Sequence, residues 1–409
     1  MRRNQILWVL YDFGNSIVTI VFAIFYTQWM VYDQDVSDIW FNMLFVLSTA
    51  LLLIIVPVLA AVADHKNLSL FFLRCSTLLQ FTAYIAACAF VLSGTKSPVL
   101  AAALFLATNF FYQSSLVFYN ALFEGIAENG KEGALSGAGQ AGNWVGQLAG
   151  LLFAFPILAG KISFFGLSAR AETFLPATLL SFIFVLPLLI FFTAPLMEKR
   201  EMREPGTLKK HILTLFKIPG VALFLCGYFL FNDAVLTAGN NFPLYLQEVF
   251  HTPDTMKSIV TMAILLTSAV GAYGAGKIAD RIGHRKAMLL CLYGWIVILP
   301  LFSAITNLTV FIALTTVMGL FYGAMWSVTR AALLMLLPKG HVGVGMSFYT
   351  IAERFSSFLG PILWSGMLFI GHDMGALRYR LAILSMTVFI ALGVILTRKL
   401  PKELFERKA

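Results

Sequence analysis

Four ionisable side chains, Asp12, Asp233, Arg330 and Glu353, stand inside long apolar runs. A charge at the centre of a membrane helix costs at least about 2.5 kcal/mol, so each should face a bundle interior, a wet cavity or an opposite charge. The chemistry open to a carboxylate there is to take up and release a proton, or to hold a polar solute. Asp12 comes about two turns into its run, so capping or snorkelling at an interface stays open for it, whereas Asp233 lies nearer the middle. Each has an asparagine close by: Tyr11 and Asn15 match Tyr228 and Asn232 at an offset of 217 positions. The pair Asp233 and Asn232 is the first candidate for substrate binding or coupling. Asp12 with Asn15 follows, then Asn120, Arg330 and Glu353.

Arg330 precedes the turn at Pro338–Val342 by 8 residues, and Glu353 follows it by 11. At about 1.5 Å per residue both lie ~12–17 Å from that turn. A helix–helix salt bridge and a shared contact with a solute both fit this spacing. Arg354 is rotated about 100° from Glu353 and should not share its partner.

A second set of polar residues falls between apolar runs, at Gly276, Asp280, Arg281, Gly283 and Arg285. Gly276 permits close helix approach, Gly283 a tight turn, and Asp280 can pair with an arginine or cap a helix. A reduced copy in the first half centres on Asp64, 216 positions earlier. These residues are read as a gating loop.

Other chemistry is missing. The six histidines (65, 211, 251, 284, 341 and 372) lie in or beside loops without metal-ligand spacing. Cys75, Cys88, Cys226 and Cys291 all fall in apolar segments, which suits packing rather than disulfides or a metal cage. No phosphate-binding loop, nucleophile elbow or nucleophile–base set can be assembled. An enzyme, a cofactor and ATP-driven work are therefore not expected.

The elements that must position these residues are membrane helices. The chain is 59% hydrophobic and 12% charged, against the roughly 25% charged of soluble domains. Twelve spans of about 20 residues or more are expected, at 6–32, 39–63, 68–92, 98–123, 136–159, 173–196, 219–246, 256–279, 287–305, 308–336, 345–370 and 376–398. Barrel strands would be ~10 residues long and alternate in polarity, so the fold class is all-α integral membrane. With the amino terminus inside, inner segments hold 21 Lys and Arg residues against 6 outside. That bias places both termini in the cytoplasm, as in a bacterial inner membrane, and accounts for the net charge of +9 without nucleic acid. The polar segment Glu198–His211 divides the chain into a six-helix bundle over 1–196, a linker over 197–217 and a second bundle over 218–409.

Duplication is visible in the sequence. Phe111–Gly150 and Phe321–Gly360 align without a gap at an offset of 210, with Gly130/Gly340, Gly133/Gly343 and Gly150/Gly360 among the coincident residues. Arg330 takes the place of Asn120 in this alignment. Ala138, Gly142, Gly146 and Gly150 make a small-residue stripe expected to pack on a helix of the other half. Ser268, Ala272 and Gly276 make a similar one.

The loop around Asp280 closely resembles the Gly-x-x-x-Asp-Arg-x-Gly-Arg-Arg-Lys loop of the major facilitator superfamily. Within that superfamily the chain is similar to the vacuole effluxer family, the autophagy-linked vacuolar amino-acid exporter and its bacterial relatives. The segments that carry this are Tyr11-Asp12-Phe13-Gly14-Asn15-Ser16, Phe118-Tyr119-Asn120-Ala121-Leu122, Phe229–Val235, Thr329-Arg330 and Leu337–Gly340, with Tyr349 and Leu359-Gly360-Pro361. The family pattern has Trp and Ala where this chain has Phe13 and Gly14. The resemblance implies two pseudo-symmetric bundles and a monomer that exports a small organic solute, an amino acid in the fungal member. Alternating access would move the solute past a midplane site lined by helices one, four, seven and ten, with a carboxylate proton coupling the cycle. A lipid or lysolipid flippase on the same scaffold and a non-transporting membrane sensor are the rival readings.

Overall fold

The computed structural model describes residues 1–36, 38–193, 208–338, 341–356 and 358–401. Every regular element among them is helical. In the first half these are α1 (Arg3–Tyr32, containing a π-helical turn at Phe22–Tyr26), α2 (Asp38–Lys66), α3 (Ser69–Leu92), α4 (Pro98–Ala121), α5 (Glu132–Leu158) and α6 (Phe174–Phe191). The second half contains α7 (Val221–Asn240), α8 (Asp254–Ile282), α9 (His284–Ala304) and α10 (Leu308–Leu336). It continues through α11 (Val342–Phe355) and α12 (Leu359–Ile370) to α13 (Leu377–Lys399).

Ten helices among the described residues are long and apolar enough to cross a membrane. The helix α2, at 29 residues, has the length to do so. Most of the expected linker lies outside the described residues, and its end, Leu208–Lys217, is helical. The single span expected at 345–370 is instead two helices, α11 and α12, because the chain leaves helical geometry after Phe355.

Local sequence explains several boundaries. Ser97 caps α4 by accepting the Leu100 N–H (3.4 Å), with Pro98 at the first helical position. Asn307 caps α10 through the Val310 N–H (3.1 Å). The α8–α9 corner turns at Gly283, whose φ of +93° suits a residue without Cβ. Between α5 and α6 the buried Glu172 organises its loop. Its carboxylate accepts N–H groups from Phe164, Phe165 (3.0 Å) and Leu167 (2.9 Å), and the hydroxyl of Ser163 (2.8 Å).

The structure divides into two compact units. One comprises Met1–Ala127, Gly142–Leu213 and Lys339–Thr350; the other comprises Glu128–Ala141, Thr214–Pro338 and Ile351–Ala409. Each unit thus includes a short segment from the opposite half of the sequence. Within the first, α1 packs on α6, and α4 on both α2 and α3. Within the second, α13 packs on α7 and α9, and α8 lies along α10. Pairings recur at equivalent places, α1 on α6 with α7 on α13 and α2 on α4 with α8 on α10, as a duplicated fold requires. Large apolar side chains such as Ile183 and Ile190 on α6 or Phe369 and Ile370 on α12 stay exposed. A helix apolar all round is expected where lipid is the solvent.

The glycine stripe on α5 meets two different partners. Gly142, Gly146 and Gly150 lie against the backbone of α1 at Val9, Phe13 and Ile17, so a Cβ on Gly150 would stand 2.7 Å from the Ile17 carbonyl oxygen. This corrects the expectation that these residues pack on the other half. Four-residue spacing of small residues fixes how close two backbones come, not which helix approaches. Earlier on the same helix, Gly133 abuts Gly276, and a Cβ on Gly137 would stand 2.5 Å from the Ala272 carbonyl oxygen, so that turn does meet the second-half stripe on α8.

Candidate functional site

In the first unit Asp12 is buried in α1 rather than held at a helix end. Its carboxylate accepts the Asn143 side-chain amide (2.9 Å, from α5) and the Tyr119 hydroxyl (3.2 Å, from α4). Tyr119 is fixed in turn by Trp8. The indole N–H donates to the Tyr119 carbonyl (3.0 Å), and the two rings stack with centroids 4.4 Å apart. One turn along α1, Asn15 Oδ1 accepts Gln80 Nε2 (2.6 Å), and Gln80 Oε1 accepts the Ser115 hydroxyl (3.0 Å). Tyr11 reaches Thr77 at 2.8 Å. Asp12 and Asn15 are therefore held by polar partners from α3, α4 and α5, and Asn120 is buried on α4. Sequence reasoning missed Gln80, Tyr119 and Asn143. A lone polar residue in an apolar run signals burial, but a tyrosine or glutamine there signals it more weakly than an aspartate.

In the second unit Asn232 and Asp233 lie on α7 beside the gap between α11 and α12, and both are fully buried. Asn232 Nδ2 donates to the Glu353 carbonyl (3.3 Å) and to the Ser356 hydroxyl (2.5 Å). The Ser356 hydroxyl also bonds back to the Glu353 carbonyl (2.7 Å). Across the gap, Asp233 Oδ2 accepts the Gly360 N–H at 2.7 Å, on the first turn of α12. Thr237 lies one turn along α7, its hydroxyl 3.4 Å from Asp233 Oδ1. Gly360 is constrained by this packing, because a Cβ there would stand 2.7 Å from Asp233 Oδ1. The helix break is thus tied to α7 on both sides: the asparagine holds the end of α11, and the aspartate caps the start of α12. Ser356 was not singled out in the sequence, and Gly360 was marked there only for its alignment with Gly150 and its place in the Leu359-Gly360-Pro361 segment. The polar step before Leu359-Gly360-Pro361, with proline in the first turn of α12, is the signal that marks them.

Arg330 and Glu353 reach different partners. The buried Arg330 donates from Nε to Ser136 Oγ (3.0 Å) and from Nη2 to the Ser136 carbonyl (2.7 Å), while Ser136 Oγ donates to the Ser327 carbonyl (2.7 Å). Arg330 therefore links α10 to the early turns of α5. The Glu353 carboxylate lies 3.5 Å from the Tyr228 hydroxyl of α7.

The loop residues form a matched pair of caps. Asp280, at the end of α8, accepts the N–H groups of Gly133 and Ala134, one on each oxygen, both at 2.7 Å. Asp64, at the end of α2, does the same for Gly343 and Val344 at 2.9 Å each. A carboxylate here satisfies orphan donors and complements the positive end of the helix dipole. Of the two roles open to Asp280, the cap is what the structure shows. The close contact of Gly276 with Gly133 lets α8 reach α5, Arg281 is exposed, and Arg285 donates to the Arg398 carbonyl (2.6 Å). Glu132, Asp280 and His284 offer ligand atoms within 4.8 Å of one another. Asp280 accepts an N–H of α5 on each oxygen, and His284 Nε2 stands 3.9 Å from its Oδ1.

Residues 224–408 match the family model of the Major Facilitator Superfamily. The uncharacterized MFS-type transporter YxiO of Bacillus subtilis is 23% identical over 98% of this chain and 95% of its own. Autophagy-related protein 22 of Yarrowia lipolytica is 25% identical over 44% of this chain and 32% of that protein. Among solved structures, the E. coli fucose:proton symporter superposes with a TM-score of 0.73 at 14% identity, covering 97% of each chain. The match over residues 224–408, the end-to-end similarity to an MFS-type transporter and the shared fold agree: the chain is similar to proteins of the major facilitator superfamily and has their fold, that of an integral multi-pass membrane protein.

Proposed function

We infer that the protein is a secondary transporter that moves a small organic solute outward by alternating access between the bundles 1–196 and 218–409. The observation that carries this reading is the helix break between α11 and α12, with the fully buried Asp233 at its rim. A discontinuous membrane helix exposes backbone groups that suit solute or ion binding, and a carboxylate there changes charge when its occupant changes. In this reading the second-half candidates for the site are Asn232, Asp233 and Glu353, and the first-half candidates are Asp12, Asn15 and Asn120. Arg330 would steady it through Ser136.

An amino acid is the solute class implied by the resemblance to the vacuole effluxer family, and a zwitterion suits a protein with buried groups of both signs. Loading and release at Asp233 would couple the cycle, with a proton as the simplest occupant. The protein would work as a monomer in an inner membrane; the bias of basic residues supports both termini in the cytoplasm, with Asp64 and Asp280 gating from that side.

The test is exchange of labelled amino acids by the full chain in proteoliposomes. Wild type should concentrate its substrate under an imposed pH difference. Asp233→Asn should lose at least about tenfold of that driven flux, equivalent to about 1.4 kcal/mol, while keeping downhill exchange. Full gradient-driven flux in Asp233→Asn would remove this residue from coupling. Translocation of headgroup-labelled lipid without amino-acid flux would replace the solute reading.

A further inference from the structure

The segment between α5 and α6 inverts the usual layout of a surface loop. Its apolar side chains Ile162, Phe164 and Phe165 face outward, 43%, 55% and 44% exposed. Its backbone polar groups are instead paired within the protein. Gly160, at a φ of +69°, ends α5: its N–H bonds to the Ile157 carbonyl (3.0 Å), and that of Lys161 to the Pro156 carbonyl (3.0 Å). Farther on, the buried Glu172 carboxylate collects the N–H groups of Phe164, Phe165 and Leu167 and the Ser163 hydroxyl. The far end closes on itself, with the Glu172 N–H on the Ser168 carbonyl (3.1 Å) and the Thr173 N–H on the Arg170 carbonyl (3.1 Å).

An exposed loop in water does not need this degree of internal pairing, because solvent supplies the partners. Where water is scarce, irregular backbone is tolerated only when its N–H and C=O groups are satisfied by the protein. The turn between α3 and α4 follows the aqueous rule instead. Ser93, Gly94, Thr95 and Lys96 are exposed and carry only small or polar side chains. Both connections border the end of α1: Lys96 pairs with Asp35, and Arg170 lies 3.9 Å from Asp33.

Lipid is the occupant that fits. Leu152 and Phe155 on α5 and Leu179 and Ile183 on α6 are exposed, as on helices whose solvent is acyl chain, and the loop joins the ends of those two helices. Cations flank its rings. Lys161 is exposed, and the Arg170 guanidinium stands 5.1 Å from the Tyr32 ring centroid. Aromatic side chains with basic groups beside them suit the boundary where acyl chains give way to phosphates. We propose that residues 159–170 are a lipid-binding element that docks into the bilayer boundary beside the first unit. Ile162, Phe164 and Phe165 enter the acyl region, Lys161 meets a lipid phosphate, and Glu172 holds the loop in that posture. This contact is independent of the solute carried.

Spin-label depth in proteoliposomes of phosphatidylethanolamine and phosphatidylglycerol tests it. In the full chain with Cys75, Cys88, Cys226 and Cys291 changed to alanine, a nitroxide is attached at Phe164→Cys, at Phe165→Cys or, as the aqueous reference, at Thr95→Cys. Each variant is first shown to be monodisperse. The labels at 164 and 165 should be open to oxygen and shielded from a water-soluble nickel chelate, about 5–10 Å below the phosphates. The label at 95 should read as aqueous. Adding Glu172→Gln should make both loop labels shallower, because an amide accepts through one oxygen where this carboxylate uses two. Phe165→Trp in the otherwise unaltered chain gives an independent reading. Lipids brominated near the head of the acyl chain should quench its emission beyond the quenching of the native tryptophans.

Nickel access at 164 and 165 equal to that at 95, with no added quenching in Phe165→Trp, would overturn the proposal. Labels closed to both oxygen and nickel, together with cross-linking of the protein into dimers, would also overturn it and assign the loop to a second copy of the chain. Depth unchanged by Glu172→Gln would overturn the part given to that carboxylate.

Discussion

Arg330 shows how one side chain can hold two helices together. Its guanidinium spans the hydroxyl and the carbonyl of one residue, Ser136, and the same hydroxyl continues to Ser327. Removing the hydroxyl leaves a buried N–H donor of a charged group unsatisfied, at a cost of about 1–3 kcal/mol. Ser136→Ala should therefore lower the thermal unfolding midpoint in detergent by several degrees. Arg330→Lys should not restore wild-type stability to the parent chain, because an ammonium lacks the planar fork that reaches both oxygens. Fluorescence-detected unfolding of the two variants checks this; a Ser136→Ala midpoint equal to wild type would show the bridge to be idle. The burial of Asp233 is likewise a matter of a single residue, and it could be argued from the cost of a buried charge. What Asn232 and Ser356 do could not. Each is one polar atom whose partner is a backbone group at a break that leaves only a faint trace in the sequence.

The paired caps belong to the scale of elements. Asp64 and Asp280 end α2 and α8, and each supplies both oxygens to the opening turn of another helix, α11 or α5. Loss of a helix cap costs about 0.5–2 kcal/mol, so Asp64→Ala and Asp280→Ala should each destabilise by roughly that amount. Their described partners differ and they fall in different compact units, so the double variant should be additive within about 0.5 kcal/mol. Urea or thermal unfolding of the two singles and the double measures the coupling, and a larger interaction term would mean the caps act as one device. At this scale much could be read in advance. The apolar runs predicted the helices, and the glycines at the 210-residue offset, Gly133 and Gly343, are the very residues whose N–H groups the two aspartates receive. The partner of the Gly142–Gly150 stripe was not legible, since small residues announce a close approach without naming its direction. The division of α11 from α12 was hidden for a similar reason: both pieces are apolar, and the aspartate that caps the second lies 127 positions away.

At the scale of the whole molecule, sequence halves and compact units do not coincide. Residues Lys339–Thr350 complete the first unit, and Glu128–Ala141 complete the second. A fragment ending before the linker would keep Asp64 but lose Gly343 and Val344, while its counterpart would keep Asp280 without Gly133 and Ala134. Fragments 1–196 and 218–409 made separately should each unfold at a lower temperature than the intact chain, and co-expression should recover part of the loss. Equal midpoints for the isolated fragments and the full-length protein would show that the exchanged segments contribute nothing.

The same exchange gives the two caps different histories. When Asp280 leaves the ribosome, Gly133 and Ala134 were made 147 and 146 residues earlier, so that cap can close at once. Asp64 must wait for Gly343 and Val344, 279 and 280 residues later. At roughly 5–20 residues per second that delay is on the order of tens of seconds. During that interval the first unit sits in the membrane with its own helices inserted and one acceptor site vacant. Two contacts that mirror each other in the finished protein are thus opposite in birth order, and the amino-terminal unit, though translated first, is the last to be sealed.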